Sequence, residues 1–275
     1  MTFSTAHLVA SLEIGLAFVG AVLAWRLFLR PAAQASQAPA KLLPWVTTLP
    51  DFLVFVVFVV CGSFACALFA GLVSKHFGLQ GDAATVITGA GAQLGMLAGA
   101  CIYWARPDHG RPGATGPTSV LISGTVTFLV ALPFLLLSAN LWELLLKQLK
   151  LPTERQSLVG MFANADSPVL LATMILLAVV IAPLTEELVF RAGLFRFLRG
   201  RVPRWIALAG PGVIFASLHV NWVTLEGLTS LVPLVVLAVM FSLAYERTGN
   251  IGTPIVAHAL FNLNTVLLIF SGVGL

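Results

Sequence analysis

Long apolar stretches separated by short polar segments dominate the pattern along the chain. Runs of about 20 apolar residues cross the hydrocarbon core of a bilayer as helices. A helix satisfies its own backbone N–H and C=O groups, which lipid cannot do. The pattern therefore predicts an all-α, polytopic transmembrane helix bundle with about eight spans, at about 6–29, 50–74, 83–105, 118–142, 169–190, 205–220, 228–245 and 253–271.

Composition agrees with a membrane protein. Of the 275 residues, 59% are hydrophobic and 9% are charged, whereas a soluble domain carries roughly 25% charged residues. The third run, VITGAGAQLGMLAGA, has the small residues that let helix backbones approach closely in lipid. The sequence shows no basic patch on a soluble face, so we expect no nucleic-acid partner.

Basic residues divide unequally between the two sides of the predicted bundle. One side collects Arg26, Arg30, Lys41, Arg106, Arg111, Arg196, Arg199, Arg201, Arg204 and Arg247, and the other collects Lys75, Lys147, Lys150 and Arg155. Because cytoplasmic loops carry the excess of Lys and Arg, we expect the first set in the cytoplasm and both termini outside. The polar segment 142–162 has two interpretations, an interfacial amphipathic helix or an extension of the fourth span.

The segment PLTEELVFRAG (183–193) places three charged side chains late in the fifth span. Each such group costs roughly 2.5–3.5 kcal/mol on insertion scales, so chains keep it mainly for pairing or chemistry. Glu186 and Glu187 point about 100° apart on a helix. Glu187 and Arg191 are four residues apart in the favourable order for an ion pair. We therefore expect Arg191 to hold Glu187 while Glu186 faces a cavity as a general base. The alternative is a plain ion-pair cluster at a helix end.

Two further polar pairs lie in later spans. Phe215 and His219 in FASLH, and His258 and Asn262 in HALFN, are each one helical turn apart. Glu186, His219 and His258 lie 13, 15 and 11 residues from the arginines that border their spans. At 1.5 Å per residue these separations are about 16–23 Å, so three helices are predicted to bring polar groups to a similar depth.

The three segments match EExxxR, FxxxH and HxxxN, in that order. Together they resemble the motifs of the CAAX protease and bacteriocin-processing family of intramembrane proteases, whose eukaryotic branch includes the type II CAAX prenyl endopeptidase. The resemblance covers about residues 165–270. It implies a catalytic core over residues 165–275 and four N-terminal spans over residues 1–164 of the same bundle.

The resemblance also implies roles for individual residues. Glu186 matches the acid that activates water, and His219 matches the histidine that positions or polarises this water. His258 and Asn262 match the pair that stabilises the oxyanion. Three residues would support the site: Glu187, Arg191 and Phe215. The implied partners are membrane lipid and a membrane-associated protein or peptide substrate. We expect an integral protein of a bacterial plasma membrane, with its active site reached from the cytoplasmic side.

A metal is an open alternative, and we commit to no cofactor. Glu186, His219 and His258 would offer Zn²⁺ three ligands and an open fourth position. However, the chain has no HExxH motif, and Asn262 suits an oxyanion donor better than a zinc ligand.

Two other functions remain as alternatives. Some members of the family are thought to act without catalysis, in bacteriocin self-immunity or as membrane scaffolds. Carboxylates and histidines in spans also build proton relays, which would make the chain a proton-coupled transporter. The clustering of the polar groups at one level argues against the transporter.

Overall fold

The computed structural model describes residues 5–35, 39–43, 45–106, 113, 117–153, 160–162, 165 and 167–272. These residues form helices and connecting loops, with no β-strand among them. The helices are α1 (Thr5–Leu29), α2 (Pro31–Ala35), α3 (Leu49–His76), α4 (Gly81–Ala105), α5 (Pro117–Gln148), α6 (Pro168–Arg199), α7 (Arg204–Ser217), α8 (Leu231–Thr248) and α9 (Gly252–Ser271). The predicted all-α bundle is confirmed.

Seven of the described helices are long and apolar enough to cross a bilayer. The chain is therefore an integral, multi-pass membrane protein. The exception among the predicted spans is 205–220, because α7 has only 14 residues. Its length of about 21 Å falls short of a hydrocarbon core of about 30 Å. In contrast, α6 extends nine residues past the predicted end of the fifth span and stops at Arg199.

Four loops that the charge pattern assigned to one side meet at one end of the bundle. They are the described residues of the segments 30–49, 106–117, 199–204 and 248–252, and we call this end the arginine end. Three hydrogen bonds join these segments and the helix ends beside them: Lys41 N–H to Glu246 O at 3.1 Å, Arg196 Nε to Leu43 O at 3.3 Å, and Ile251 N–H to Gly113 O at 3.3 Å. Arg111 and Arg155, on which the charge pattern also relied, lie outside the described residues.

Helices α3 and α4 pack at backbone contact through small residues. A Cβ atom on Gly95 of α4 would overlap the carbonyl oxygen of Gly62 on α3, and the reverse also holds. Gly91 and Gly99, one turn to either side of Gly95, approach α3 equally closely. This confirms the close packing predicted for the third run. It also turns the opposite face of α4 toward α6.

The opposite end of the bundle is formed by the α3–α4 turn, the end of α5 and the segment 218–230. Residues 142–148 continue α5, so the extension of the fourth span is the correct interpretation for this part of 142–162. Trp142 Nε1–H donates to Leu228 O at 2.8 Å. Leu146 and Val220 pack in the same buried apolar cluster. This packing fixes the segment between α7 and α8 against α5.

Candidate active site

Helix α6 carries the first motif and departs from α-helical geometry around it. Residues Leu177–Ile181 and Glu187–Phe195 are π-helical, a form that is common at functional sites. The first π segment leads into Pro183. Because proline has no backbone N–H, it cannot donate to the carbonyl five residues earlier, that of Ala178. The alternative donor, Ala182 N–H, bonds to Leu177 O instead.

The unused carbonyl of Ala178 is bonded by Asn262 from α9. The amide Nδ2 of Asn262 donates to Ala178 O at 2.7 Å. The irregular turn of α6 therefore positions the last residue of the HxxxN motif. One of the two Asn262 amide hydrogens is used in this bond, since each N–H makes one linear bond.

Glu187, Arg191 and His258 form a buried ionic cluster. Arg191 Nη1 donates to Glu187 Oε1 at 2.9 Å, and both side chains are at most 1% exposed. His258 Nδ1 lies 2.8 Å from the same oxygen, so Nδ1 carries the hydrogen that the carboxylate accepts. The guanidinium carbon of Arg191 lies 5.1 Å from the Phe215 ring centroid and 5.5 Å from that of Phe241. A charge sealed this well is stable only with such partners.

Glu186 has different surroundings from its neighbour. It lines a cavity of about 800 Å³, and its side chain is 12% exposed. Its Oε2 lies 3.7 Å from His258 Nε2. Its Oε1 accepts a hydrogen bond of 3.0 Å from Nε2 of Gln93, on α4. The carboxylate of Glu187 is thus buried in the ionic cluster, whereas the carboxylate of Glu186 faces the cavity.

Phe215 and His219 reach the same cavity from α7. The Phe215 ring centroid lies 4.6 Å from that of His219 and 6.2 Å from that of His258, so Phe215 lies beside both histidines. His219 Nδ1–H donates to Phe215 O at 2.8 Å, while its backbone N–H bonds to Ala216 O. In a continuing α-helix the backbone N–H of His219 would bond to Phe215 O, but the His219 ring occupies this carbonyl instead. This competition explains why α7 ends at Ser217, short of the predicted span.

The cavity extends from these residues toward the end of the bundle opposite the arginine end. Its far lining includes Thr85, Glu143, Thr153 and Ser230. Among the described residues, none of the four segments of the arginine end lines it. In the predicted topology the arginine end is cytoplasmic, and this layout would then open the site to the outside. The side from which the site is reached stays a prediction.

A comparison with known protein families gives a match over the region that carries these residues. The family model described as type II CAAX prenyl endopeptidase Rce1-like matches residues 168–264. The match confirms the resemblance to the CAAX protease family. It begins with α6 and includes all three motifs. No curated protein and no solved structure gives a significant match.

A metal centre of the zinc type does not fit the donors of this CAAX-protease-like region. Over the part of the chain that the structure describes, no three His, Cys, Asp or Glu side chains lie together as ligands for a metal ion. Of the zinc alternative Glu186, His219 and His258, only Glu186 and His258 form a close pair, with Oε2 and Nε2 3.7 Å apart. The arrangement suits a water held between a carboxylate and hydrogen-bond donors.

Two polar residues that the motifs did not predict contact the CAAX-protease-like region from outside it. Gln93 bonds to Glu186, and its own Oε1 is buried with no hydrogen-bond partner among the described residues. Glu13, in the first span, accepts a hydrogen bond of 3.4 Å from Asn264 of α9. Both residues could have been noticed in the sequence, because each is a polar side chain within an apolar run. Such a side chain needs a partner inside a membrane.

Proposed function

We propose that this chain is an intramembrane endopeptidase that uses Glu186 to activate water. The proposal rests on the different surroundings of the two adjacent carboxylates. Glu187 is sealed by Arg191 and His258, whereas Glu186 lines the cavity. The family match supports a CAAX-type protease at the level of class.

The reaction follows from the positions of these groups. A water bound beside Glu186 gives its proton to the carboxylate, and the hydroxide attacks the carbonyl carbon of the scissile bond. The oxyanion that forms is stabilised by N–H donors, for which we propose His258 Nε2 and the amide of Asn262. His219 lines the same cavity, and its proposed role is to position the attacking water. The C–N bond then breaks, and Glu186 returns its proton to the leaving amine.

The charges of the cluster are consistent with this role. His258 Nδ1–H donates to Glu187, and His258 Nε2 lies 3.7 Å from Glu186 Oε2, on the side of the cavity. The guanidinium of Arg191 compensates the buried charge of Glu187, which would be costly without a partner.

The cavity suits an apolar peptide segment. Its lining includes Met96, Met161, Met174, Phe162 and Phe261, and the polar cluster lies at its inner end. An apolar cleft with few convergent polar groups is the usual form of a substrate site. We therefore propose a membrane-associated protein or peptide as substrate, in keeping with the family description.

The test is cleavage by the purified protein in lipid nanodiscs. The probes are a farnesylated peptide ending in a CAAX sequence and an apolar peptide without a prenyl group. General-base catalysis contributes typically 10²–10⁴-fold, so we expect Glu186→Gln to lower kcat/KM by at least about 10²-fold. Asp82→Asn removes an exposed carboxylate outside the cavity and serves as the matched control. Equal cleavage by the Glu186→Gln variant and the control would refute the proposed base.

The non-catalytic alternative makes a different prediction in the cell. A self-immunity protein or scaffold of this family would keep its biological function in the Glu186→Gln strain. Comparison of membrane peptides between that strain and the wild type identifies substrates if catalysis is the function. For the transporter alternative, liposomes would show proton flux that Glu186→Gln abolishes.

A further inference from the structure

A second cavity lies at the arginine end, between α1, α5 and α8. It has a volume of about 550 Å³ and shares no lining residue with the cavity of the candidate active site. Its inner wall is apolar and includes Phe28, Val126, Val130, Phe134 and Met240. Three arginines and one glutamate border it where the helices end: Arg199, Arg204, Arg247 and Glu246.

The dimensions of this groove match one leaflet of a bilayer. Along α5 its lining runs from Ser123 to Phe134, which lie 11 positions apart. At 1.5 Å per residue this stretch is about 16 Å long. Half of a hydrocarbon core of about 30 Å is about 15 Å. The groove therefore has the depth that a single acyl chain occupies beside a transmembrane helix.

The charges at the mouth are not balanced. Arg204 Nη2 lies 2.7 Å from Glu246 Oε2, and Arg199 pairs with the other oxygen of the same carboxylate. Arg247 instead lies over the Phe28 ring, with its guanidinium carbon 4.6 Å from the centroid. It has no carboxylate partner among the described residues. Among the described residues that border the groove, three guanidinium groups and one carboxylate leave two positive charges above its apolar wall.

We propose that this groove binds one anionic phospholipid, with its phosphate at the arginines and an acyl chain along α5. Arginine matches phosphate through paired N–H donors. Basic pockets between transmembrane helices are a known form of lipid headgroup site. An unbound groove of this kind would leave the Phe28 ring uncovered beside Arg247 and the Phe134 ring uncovered at the depth of the bilayer centre. The site is independent of the proposed protease activity.

The experiment uses the full chain in detergent, mixed with equal amounts of phosphatidylglycerol and phosphatidylcholine of the same acyl composition. Native mass spectrometry measures which lipid stays bound. We expect preferential retention of phosphatidylglycerol by the wild type. Loss of one arginine near a charged lipid weakens binding about fivefold, so Arg247→Gln should lower this retention by about that factor. Arg30→Gln, at the same end but outside the cavity, is the control and should retain the lipid as the wild type does.

A second variant tests the apolar part of the site. Val126→Trp fills the groove without changing charge, and we expect it to lose phosphatidylglycerol as well. Equal retention of the two lipids by the wild type would overturn the proposal. So would identical lipid retention in Arg247→Gln and Arg30→Gln. Normal retention in a correctly folded Val126→Trp protein would overturn the placement of the acyl chain.

Discussion

The bond from Gln93 to Glu186 leads to a quantitative prediction about a residue outside the family-matched region. Gln93→Leu removes the amide and keeps an apolar side chain of similar size. A hydrogen bond to a charged group is worth about 1.5–3 kcal/mol. The bond is 3.0 Å long and partly buried, so its full value is expected to apply. If the bond holds Glu186 in its reactive position, kcat/KM should fall about ten- to a hundredfold.

The assay is steady-state cleavage of the peptide probe, with kcat and KM determined separately. Gln93 touches the proposed base, so the loss should appear in kcat with KM little changed. Met96→Leu is the matched control, because Met96 lines the same cavity on the same helix and donates no hydrogen bond. Both variants should unfold at temperatures close to that of the wild type. If kcat of Gln93→Leu equals that of Met96→Leu, the proposed positioning role is wrong.

Two further predictions concern the buried ion pair and the direction of the cavity. Arg191→Met leaves the buried carboxylate of Glu187 with His258 as its remaining partner and should destabilise the protein by about 3–5 kcal/mol. The double variant with Glu187→Leu should recover part of that loss in thermal unfolding, since it removes the uncompensated charge but leaves His258 Nδ1 without its acceptor, and no recovery would contradict the pairing. In a cysteine-free background, a membrane-impermeant maleimide added to intact cells should label Thr229→Cys, beside the cavity, and spare Arg30→Cys at the arginine end. The reverse labelling pattern would contradict the proposed orientation.

Residue spacing predicted the ion pair well but not the helix geometry around it. Glu187 and Arg191 pair at the expected spacing of four residues, although that part of α6 is π-helical. The π segments themselves leave no simple pattern in the sequence, since they depend on how Pro183 and the neighbouring helices share backbone groups. The contact of Asn262 with Ala178 O follows from that irregularity and was therefore also beyond prediction.

The length of α7 and the contribution of α4 were missed for different reasons. The apolar run continues past Ser217, so hydropathy alone extended the helix to residue 220. The His219 ring ends it by taking a backbone carbonyl, which is a contact that hydropathy does not register. Gln93 stands in a glycine-rich run whose pattern indicates packing. Its role depends on which helix lies across from it, and only the tertiary structure tells this.

The hydrogen bond between Asn264 and Glu13 has a consequence for biosynthesis. It joins residues 251 positions apart, so the ribosome must add the residues from Glu13 to Asn264 before the first span meets its partner. Helix α9 also carries His258 and Asn262, so the candidate site is incomplete until that helix has entered the membrane. A nascent or stalled chain is therefore expected to be inert toward neighbouring proteins at the translocon. Under the proposed function, hydrolysis would begin only after α9 has entered the membrane, which protects neighbouring proteins until then.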